Sequence, residues 1–497
     1  MPANTLMVLG TMSSAGKSLL VTGLCRIYAR RGVKVAPFKA QNMSNNAAVC
    51  ADGSEIGRAQ YTQALACGIS PTSEMNPVLL KPEAGSRSQV VLMGKPLETL
   101  PAKDYHRHKD LLWEHITRSL DSLREQYQLV IIEGAGSPVE LNLKPGDLVN
   151  MAVARYAQSP TLLVGDIDRG GIFAQLLGTL WLMEEDERQL IKGMVINKFR
   201  GDTELFYDGI SILEDKGGAK VVGVVPFTHH YIPEEDAVAI EADNQHDDQG
   251  GIDIAVVRLP LISNFDDFLA LDAEPGVNVR YIDSPEMLGH PHAVILPGSK
   301  STIADLAWLC RQYLDSAIRQ YSQSGGAVVG ICGGYQMLGN SISDPDHTES
   351  SLDRADGLGL LPIDTTFLTE KTTHQVEAIV QSPIGWLKEI AGEKLSGYEI
   401  HMGQTAERES AWLKITSRSG EKVSVQDGAI RPDGKVWGCY LHGIFENQTF
   451  RRAWLHSLGW ESSGAPTATF EAALDSFANV LENALDMDFI DRLLGLN

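Results

Sequence analysis

Short apolar runs at residues 5–10, 34–38, 129–134, 161–166, 193–198 and 221–226 alternate with stretches of helical spacing, of which 18–30 is the clearest. Several runs are apolar at consecutive positions, as strands buried on both faces are. Strands alternating with helices predict a doubly wound α/β domain. Residues 241–251, EADNQHDDQGG, are polar, acidic and end in Gly-Gly, which predicts a linker. The α/β pattern then restarts, with strands expected at 253–259, 277–283, 293–297, 327–331 and 436–441. Residues 470–496 carry apolar positions at three- and four-residue spacing, the mark of a packing helix. The pattern shows no internal repeat and no long low-complexity tract. The predicted organisation is an α/β protein of two doubly wound domains, 1–240 and 252–450, joined by a linker at 241–251 and followed by a helical segment at 451–497.

Composition narrows the picture. A chain of 497 residues is too long for one ordinary core. Hydrophobic residues at 43% and charged residues at 21% fit a globular protein. A formal net charge of −22 argues against nucleic acid or an anionic membrane being held by the general surface. Anionic ligands would then need local devices such as helix N-termini and glycine-rich loops. The six cysteines form no CxxC pair and no zinc-like spacing, which suits a reducing cytoplasm. Residues 1–20 lack the basic and apolar regions of a leader, and no apolar stretch approaches the roughly 20 residues of a membrane span.

The segment GTMSSAGKS, from Gly10 to Ser18, follows an apolar strand and opens a helix. That is the setting of a phosphate-binding loop. Glycines Gly10 and Gly16 let main-chain N–H groups turn toward phosphate oxygens, and the helix dipole adds positive charge there. Lys17 has the reach for the β and γ phosphates of ATP, and the Ser18 hydroxyl is a candidate Mg²⁺ ligand. One residue more than in GxxxxGK[ST] separates the glycines. A plain strand-turn-helix with an accidental GKS is the bland alternative. Lys39, Glu133 and Asn197 fall at strand ends, where open α/β sheets bind ligands. Lys39 and Asn197 are candidates for contacting the nucleotide, and Glu133 for holding Mg²⁺. Each alone reads as solvated surface; together, beside a phosphate loop, they favour function.

A second site is expected at GICGG, Gly330 to Gly334, between an apolar run and a short helical stretch. A small-residue turn of this kind lifts a nucleophile clear of a sheet. Cys332 is the candidate nucleophile. The Gly333 N–H and the Pro297-Gly298-Ser299 turn, through Gly298, are candidate oxyanion donors. The bland reading is a buried structural cysteine. A thiol needs a base at neutral pH. His442, at the end of a strand in WGCYLHGIFEN, is preferred over His401 in GYEIHMG.

GTMSSAGKS, PFKAQNMSNN, EIGRAQ, NPVLLKP, EGAGSPVELNL, GDIDRGG, NKFRGD, PGSKST, GICGGYQMLG, GYEIHMG and WGCYLHGIFEN occur in an order that resembles the cobyric acid synthase family of cobalamin-pathway amidotransferases. The resemblance runs from the phosphate loop to about residue 450. It implies a dethiobiotin-synthetase-like ATP domain joined to a class I glutaminase domain. It also implies ATP- and Mg²⁺-dependent amidation of four carboxylates of adenosylcobyrinic acid a,c-diamide, with small-molecule partners only and the oligomeric state open. EGAGSPVELNL and PFKAQNMSNN look like this family rather than the sister cobyrinic acid a,c-diamide synthases. A P-loop switch or partition ATPase is the rival of another class, and it gives Cys332 no role. Many class I glutaminases carry Glu two residues after the catalytic His. Here that position is Ile444, as in the family's branch, so the orienting partner of His442 is left open between Glu399 and Glu446.

Overall fold

The structure is a computed structural model that describes residues 3–84, 87–101, 108–233, 235, 251–382, 384–406, 411–461 and 469–496. The expected linker at 241–251 lies outside the described residues except for Gly251.

All six strands expected in the first half form one parallel sheet. Its order is Lys220–Pro226, Ile191–Phe199, Thr161–Asp166, Asn4–Gly10, Leu129–Glu133, Val35–Phe38. Strands such as Leu129–Glu133 and Thr161–Asp166 are buried at every position, which explains their unbroken apolar runs. Helices including Lys17–Arg30 and Lys109–Gln126 pack against it. The five strands expected in the second half also form one sheet, in the order Val277–Ile282, Ile252–Val257, Ala293–Leu296, Ala327–Ile331, Val436–Cys439. Ala429–Ile430 adds an antiparallel edge. Under this sheet Trp412, Trp437, Phe445, Phe450 and Trp454 are fully buried against one another. Each contributes on the order of 1.5–3 kcal/mol or more through burial.

Two larger sheets, besides two-stranded pairings, were not in the sequence pattern. In the first half, Gln41–Met43, Val78–Glu83, Arg87–Leu92 and Lys95–Pro101 form a small sheet beside the main one. In the second half, the long strands Asp364–Val380 and Lys394–Thr405 pair antiparallel, with Leu413–Arg418 and Glu421–Asp427 alongside. Both sheets contribute to the surface on which the halves meet. Lys371 Nζ lies 2.5 Å from Glu55 Oε2, whose other oxygen takes Lys81 Nζ at 2.5 Å. Lys300 reaches Glu83 at 2.6 Å. Ile400 packs on Ala47, Leu79 and Val91.

The C-terminal helices Phe470–Ala484 and Met487–Leu494 do not stay with the second half. They cover helix Lys17–Arg30 of the first. A side chain on Gly23 would place its Cβ 2.2 Å from Leu481 Cδ1, so the glycine permits the close approach. Arg26 pairs with Asp475 at 2.7 Å and Arg31 with Glu482 at 2.7 Å. Such partly exposed pairs add about 0–1 kcal/mol each, so Leu474, Phe477 and Leu481 carry the attachment.

Candidate active sites

The loop Gly10–Ser18 joins the first strand to helix Lys17–Arg30. Gly16 holds φ 92°, and a Cβ there would lie 2.0 Å from Asn197 Nδ2. Only glycine suits both demands. A Cβ on Gly10 would lie 3.0 Å from Lys17 Nζ, so glycine keeps the cradle open. Lys17 Nζ donates to the Met12 carbonyl at 3.0 Å and the Gly136 carbonyl at 3.3 Å, which holds the ammonium over the loop. Asn197 Nδ2 donates to the Ala15 carbonyl at 2.9 Å, so its amide braces the loop main chain. Lys198 does the same at Ser14, 2.8 Å away, while pairing with Asp166 at 3.0 Å.

Beside the loop a buried charge cluster gathers three of the expected residues. Ser18 Oγ lies 2.8 Å from Glu133 Oε1 and 3.1 Å from Glu235 Oε2. Lys39 Nζ meets the same two oxygens at 2.9 and 2.8 Å. Burial opposes the charge on Glu133. Lys39 and the hydrogen bonds from Lys39, Gln63 and Ser18 outweigh it and hold the carboxyl below its usual range. Burial likewise opposes the charge on Lys39, and Glu133 and Glu235 hold its ammonium charged above the ordinary lysine value. Glu235, Gln60 and Gln63 were not singled out in the sequence. The amides of Gln63 and Gln60 donate to Glu133 Oε2 at 2.6 and 3.3 Å.

The second site forms at the C-terminal edge of the second sheet. Cys332 ends strand Ala327–Ile331 with φ 50° and ψ −108°, a strained conformation for a non-glycine residue. Its N–H is tied to the Cys439 carbonyl at 2.9 Å. A Cβ on Gly334 would lie 1.9 Å from the Leu296 oxygen, so the turn closes only with glycine there. The expected Pro297-Gly298-Ser299 turn includes a two-residue strand, Gly298–Ser299, paired antiparallel with Ile262–Ser263. This brings Ser299 against Gly333: a Cβ on Gly333 would lie 2.9 Å from the Ser299 N. Gly298 lies against the imidazole, with its would-be Cβ 3.1 Å from His442 Cε1.

His442 is buried beside Cys332, close enough for the two groups to interact electrostatically. Its Nδ1 meets Asp267 Oδ2 at 2.7 Å, and Asp267 Oδ1 accepts from the Gly443 N–H at 2.8 Å. One carboxylate thus fixes both the ring and the main chain after it. Burial pushes the imidazole toward neutrality, but Asp267 and Cys332 outweigh it and raise its pKa to about 10. Tyr398 stacks on the ring at 5.3 Å, and the two main chains exchange hydrogen bonds.

Asp267 fills the position that the sequence left between Glu399 and Glu446. Glu399 instead holds Arg418 through bonds of 2.9 and 3.1 Å, with His401 at 3.5 Å. Glu446 lies exposed at the surface, while the carboxylate on the imidazole is that of Asp267. His401 stacks on Tyr440 at 3.9 Å and bonds the Gly403 carbonyl through Nδ1. Its neighbour Ile400 supplies the carbonyl 3.6 Å from Cys332 Sγ. Asp267 had a faint signal, the paired acids of SNFDDF, which read as surface until Phe265–Phe268 is seen to be a buried helical turn.

Residues 6–237 match the family model of a CobQ/CobB/MinD/ParA nucleotide binding domain, and residues 253–450 that of a CobB/CobQ-like glutamine amidotransferase domain. The class is therefore a nucleotide-binding domain fused to a glutaminase, a glutamine-hydrolysing carbon–nitrogen ligase. The chain is 56% identical over 497 residues to a cobyric acid synthase of Chloroflexus aurantiacus, covering 99% of this chain and 100% of that one. It is 55% identical to the enzyme of that name from Chloroflexus aggregans, over 100% of both chains. With that of Moorella thermoacetica it shares 45%, over 99% and 98% of the two. It belongs to the cobyric acid synthase family. Among the described residues no helix is long and apolar enough to cross a membrane.

Proposed function

We propose that the chain amidates the b, d, e and g carboxylates of adenosylcobyrinic acid a,c-diamide to give adenosylcobyric acid, in the cytoplasm, using glutamine and ATP. One observation carries the reading: a phosphate loop and an elbow cysteine with an aspartate-supported histidine share one chain. The proposed division of labour is 1–240 for activation, 252–450 for nitrogen release, 241–251 as linker, and 451–497 as a helical segment.

A carboxylate resists substitution because its oxygen is a poor leaving group. A carboxylate oxygen of the corrinoid attacks the γ-phosphorus of ATP, ADP leaves, and an acyl phosphate forms. Gly10, Gly16 and Lys17 cradle the phosphates, Lys39 offsets the charge that develops, and Asn197 holds the loop to its shape. The hard oxygen donors of Ser18 and Glu133, with Glu235 beside them, suit Mg²⁺, which when bound neutralises phosphate charge.

In the other half the Cys332 thiolate attacks the side-chain amide carbon of glutamine. Gly298 and Gly333 supply the main-chain donors for the oxyanion. His442 gives its proton to the leaving ammonia, and water then cleaves the thioester to glutamate. Asp267 keeps the imidazole charged and aimed. Ammonia attacks the acyl phosphate, phosphate departs, and the nitrogen sheds a proton to leave the amide. Ile400 faces the thiol with its carbonyl and packs on Ala47, Leu79 and Val91 of the other half, which supports a route across this junction that limits protonation of ammonia.

The decisive experiment supplies cobyrinic acid and its a,c-diamide separately, with glutamine, ATP and Mg²⁺. Four amidations of the a,c-diamide are expected. Amidation of cobyrinic acid at a and c would instead identify an a,c-diamide synthase. ATP hydrolysis with neither acceptor amidated and no glutamate released would favour the switch ATPase.

A further inference from the structure

Arg58 belongs to the nucleotide-binding half, yet its guanidinium ends in the glutaminase site. It is fully buried. Nη2 lies 2.6 Å from Asp266 Oδ2 and 2.6 Å from the Tyr398 hydroxyl. Both partners support His442. Asp266 precedes Asp267, the residue that holds the imidazole Nδ1. Tyr398 stacks on the imidazole and shares a main-chain bridge with it. The same corner is pinned a second time by Asn46 of the first half, which accepts from the Asn264 N–H at 2.7 Å. Asn264 in turn donates to the Tyr398 hydroxyl at 2.7 Å.

The element that carries Arg58 also reaches the other site. Arg58 is the first residue of helix Arg58–Ala66. Two positions on, Gln60 donates to Glu133, and five positions on, so does Gln63. Gln63 also donates to the Ser18 carbonyl at 3.3 Å. A single short helix therefore touches the carboxylate beside the phosphate loop, the tyrosine stacked on the glutaminase histidine, and the residue next to the aspartate that holds it. A helix of this length moves as a rigid unit, so a shift at one end is felt at the other.

We propose that Arg58 is a positioning residue for glutamine hydrolysis, and that helix Arg58–Ala66 ties the geometry of His442 to that of Glu133. Arg58 touches neither glutamine nor the thiol in this scheme. It fixes the loop that bears Asp267 and the ring that packs on His442, and it brings that support from the opposite half. Hydrolysis then runs at full rate only when the halves are seated and the nucleotide site is in order, which limits wasteful release of ammonia. The inference rests on the assignment of Cys332 and His442 above.

The test uses the full chain with Arg58→Ala and Arg58→Lys, and Cys332→Ala alongside. Glutamate release is measured with and without Mg·ATP, and amidation with ammonia is measured separately. For Arg58→Ala the expected result is a fall in kcat for glutamate release of about 3- to 30-fold, the usual range for a coupling residue, with KM for glutamine little changed. Stimulation by Mg·ATP should be lost, ammonia-driven amidation kept, and Arg58→Lys should recover part of kcat. A lysine keeps a charge facing Asp266, but its shorter side chain does not reproduce the seat from which Nη2 serves both Asp266 and Tyr398. Unchanged glutamate release in Arg58→Ala would overturn the positioning role. Equal loss with both nitrogen sources would overturn it too, by making Arg58 a general structural residue. A parent enzyme indifferent to Mg·ATP would overturn the tie to Glu133. If Cys332→Ala itself retained glutamine use, the site assignment would fail rather than this inference.

Discussion

The phosphate loop, unlike the side-chain cluster beside it, is built by means opposite to those of the cysteine elbow. At the phosphate loop the functional side chains are tied to main-chain carbonyls: Lys17 to Met12 and Gly136, Asn197 to Ala15, Lys198 to Ser14. The loop's shape resides in the backbone, and most of the site comes from nine consecutive residues and a few strand ends. At the elbow, side chain holds side chain. Asp267 holds His442, Tyr398 covers it, and Arg58 holds Tyr398 and Asp266. The strained turn at Cys332 is held by its tie to the Cys439 carbonyl and by the close approach that Gly334 permits. A phosphate site needs many weak donors around a bulky anion. A thiolate–imidazolium pair needs one proton held in one place, and that demands a relay of fixed side chains.

The sharpest way to break the comparison is to remove the nucleophile. Cys332→Ala should cut glutamine-driven amidation by about 10⁴-fold or more, while amidation with ammonia continues. His442→Ala should copy it, and His401→Ala should retain part of its glutamine use. If His401→Ala showed the clean nitrogen-source switch and His442→Ala did not, the base would be His401. Next in size is Asp267→Asn. It keeps the shape but reverses the hydrogen-bonding choice at Nδ1, and should lower glutamate release by roughly 10³- to 10⁴-fold. A loss under tenfold would show that the aspartate is not the orienting group. At the other site Lys17→Ala should remove amidation from both nitrogen sources, by about 10²- to 10³-fold. Ammonia-driven activity near the parent rate would sink the phosphate-loop reading.

The smallest effect is on stability. The pKa of His442 is raised in the folded chain to about 10, so its charged form stabilises the fold. That contribution is fully present below an unfolded value of about 6.5 and is lost as pH rises through about 10. The melting temperature of the parent should therefore fall toward that of His442→Gln between these limits, by roughly 2–4 °C for each kcal/mol lost. Parallel melting curves across this range would place the histidine outside a charged pair.

The difference between the sites also explains what could be read from sequence. The eleven expected strands of the two main sheets are all present, because strands buried on both faces leave unbroken apolar runs. The Gly10–Ser18 loop and the Cys332 elbow were legible because each is local, with its glycines spaced by backbone geometry. The strand Asp364–Val380 was not, because much of it is exposed or half-buried and polar. Asp267 was hidden for a different reason. It lies 175 residues from His442 along the chain, in an acidic pair that reads as surface until the fold buries it. Arg58 was visible only as part of EIGRAQ, since nothing local to it points to a partner in the other half.

The return of the helices at 470–494 onto helix Lys17–Arg30 has a consequence for synthesis on the ribosome. Leu20, Leu24, Ile27 and Tyr28 are made early, but the residues that cover them, Leu474, Phe477, Leu481 and Ile490, come only after the whole glutaminase half. At about 5–20 residues per second the nascent chain carries that apolar face uncovered for tens of seconds. The first sheet can form in that interval, but its outer layer closes last. Completion of the first half thus reports that the second has already been made.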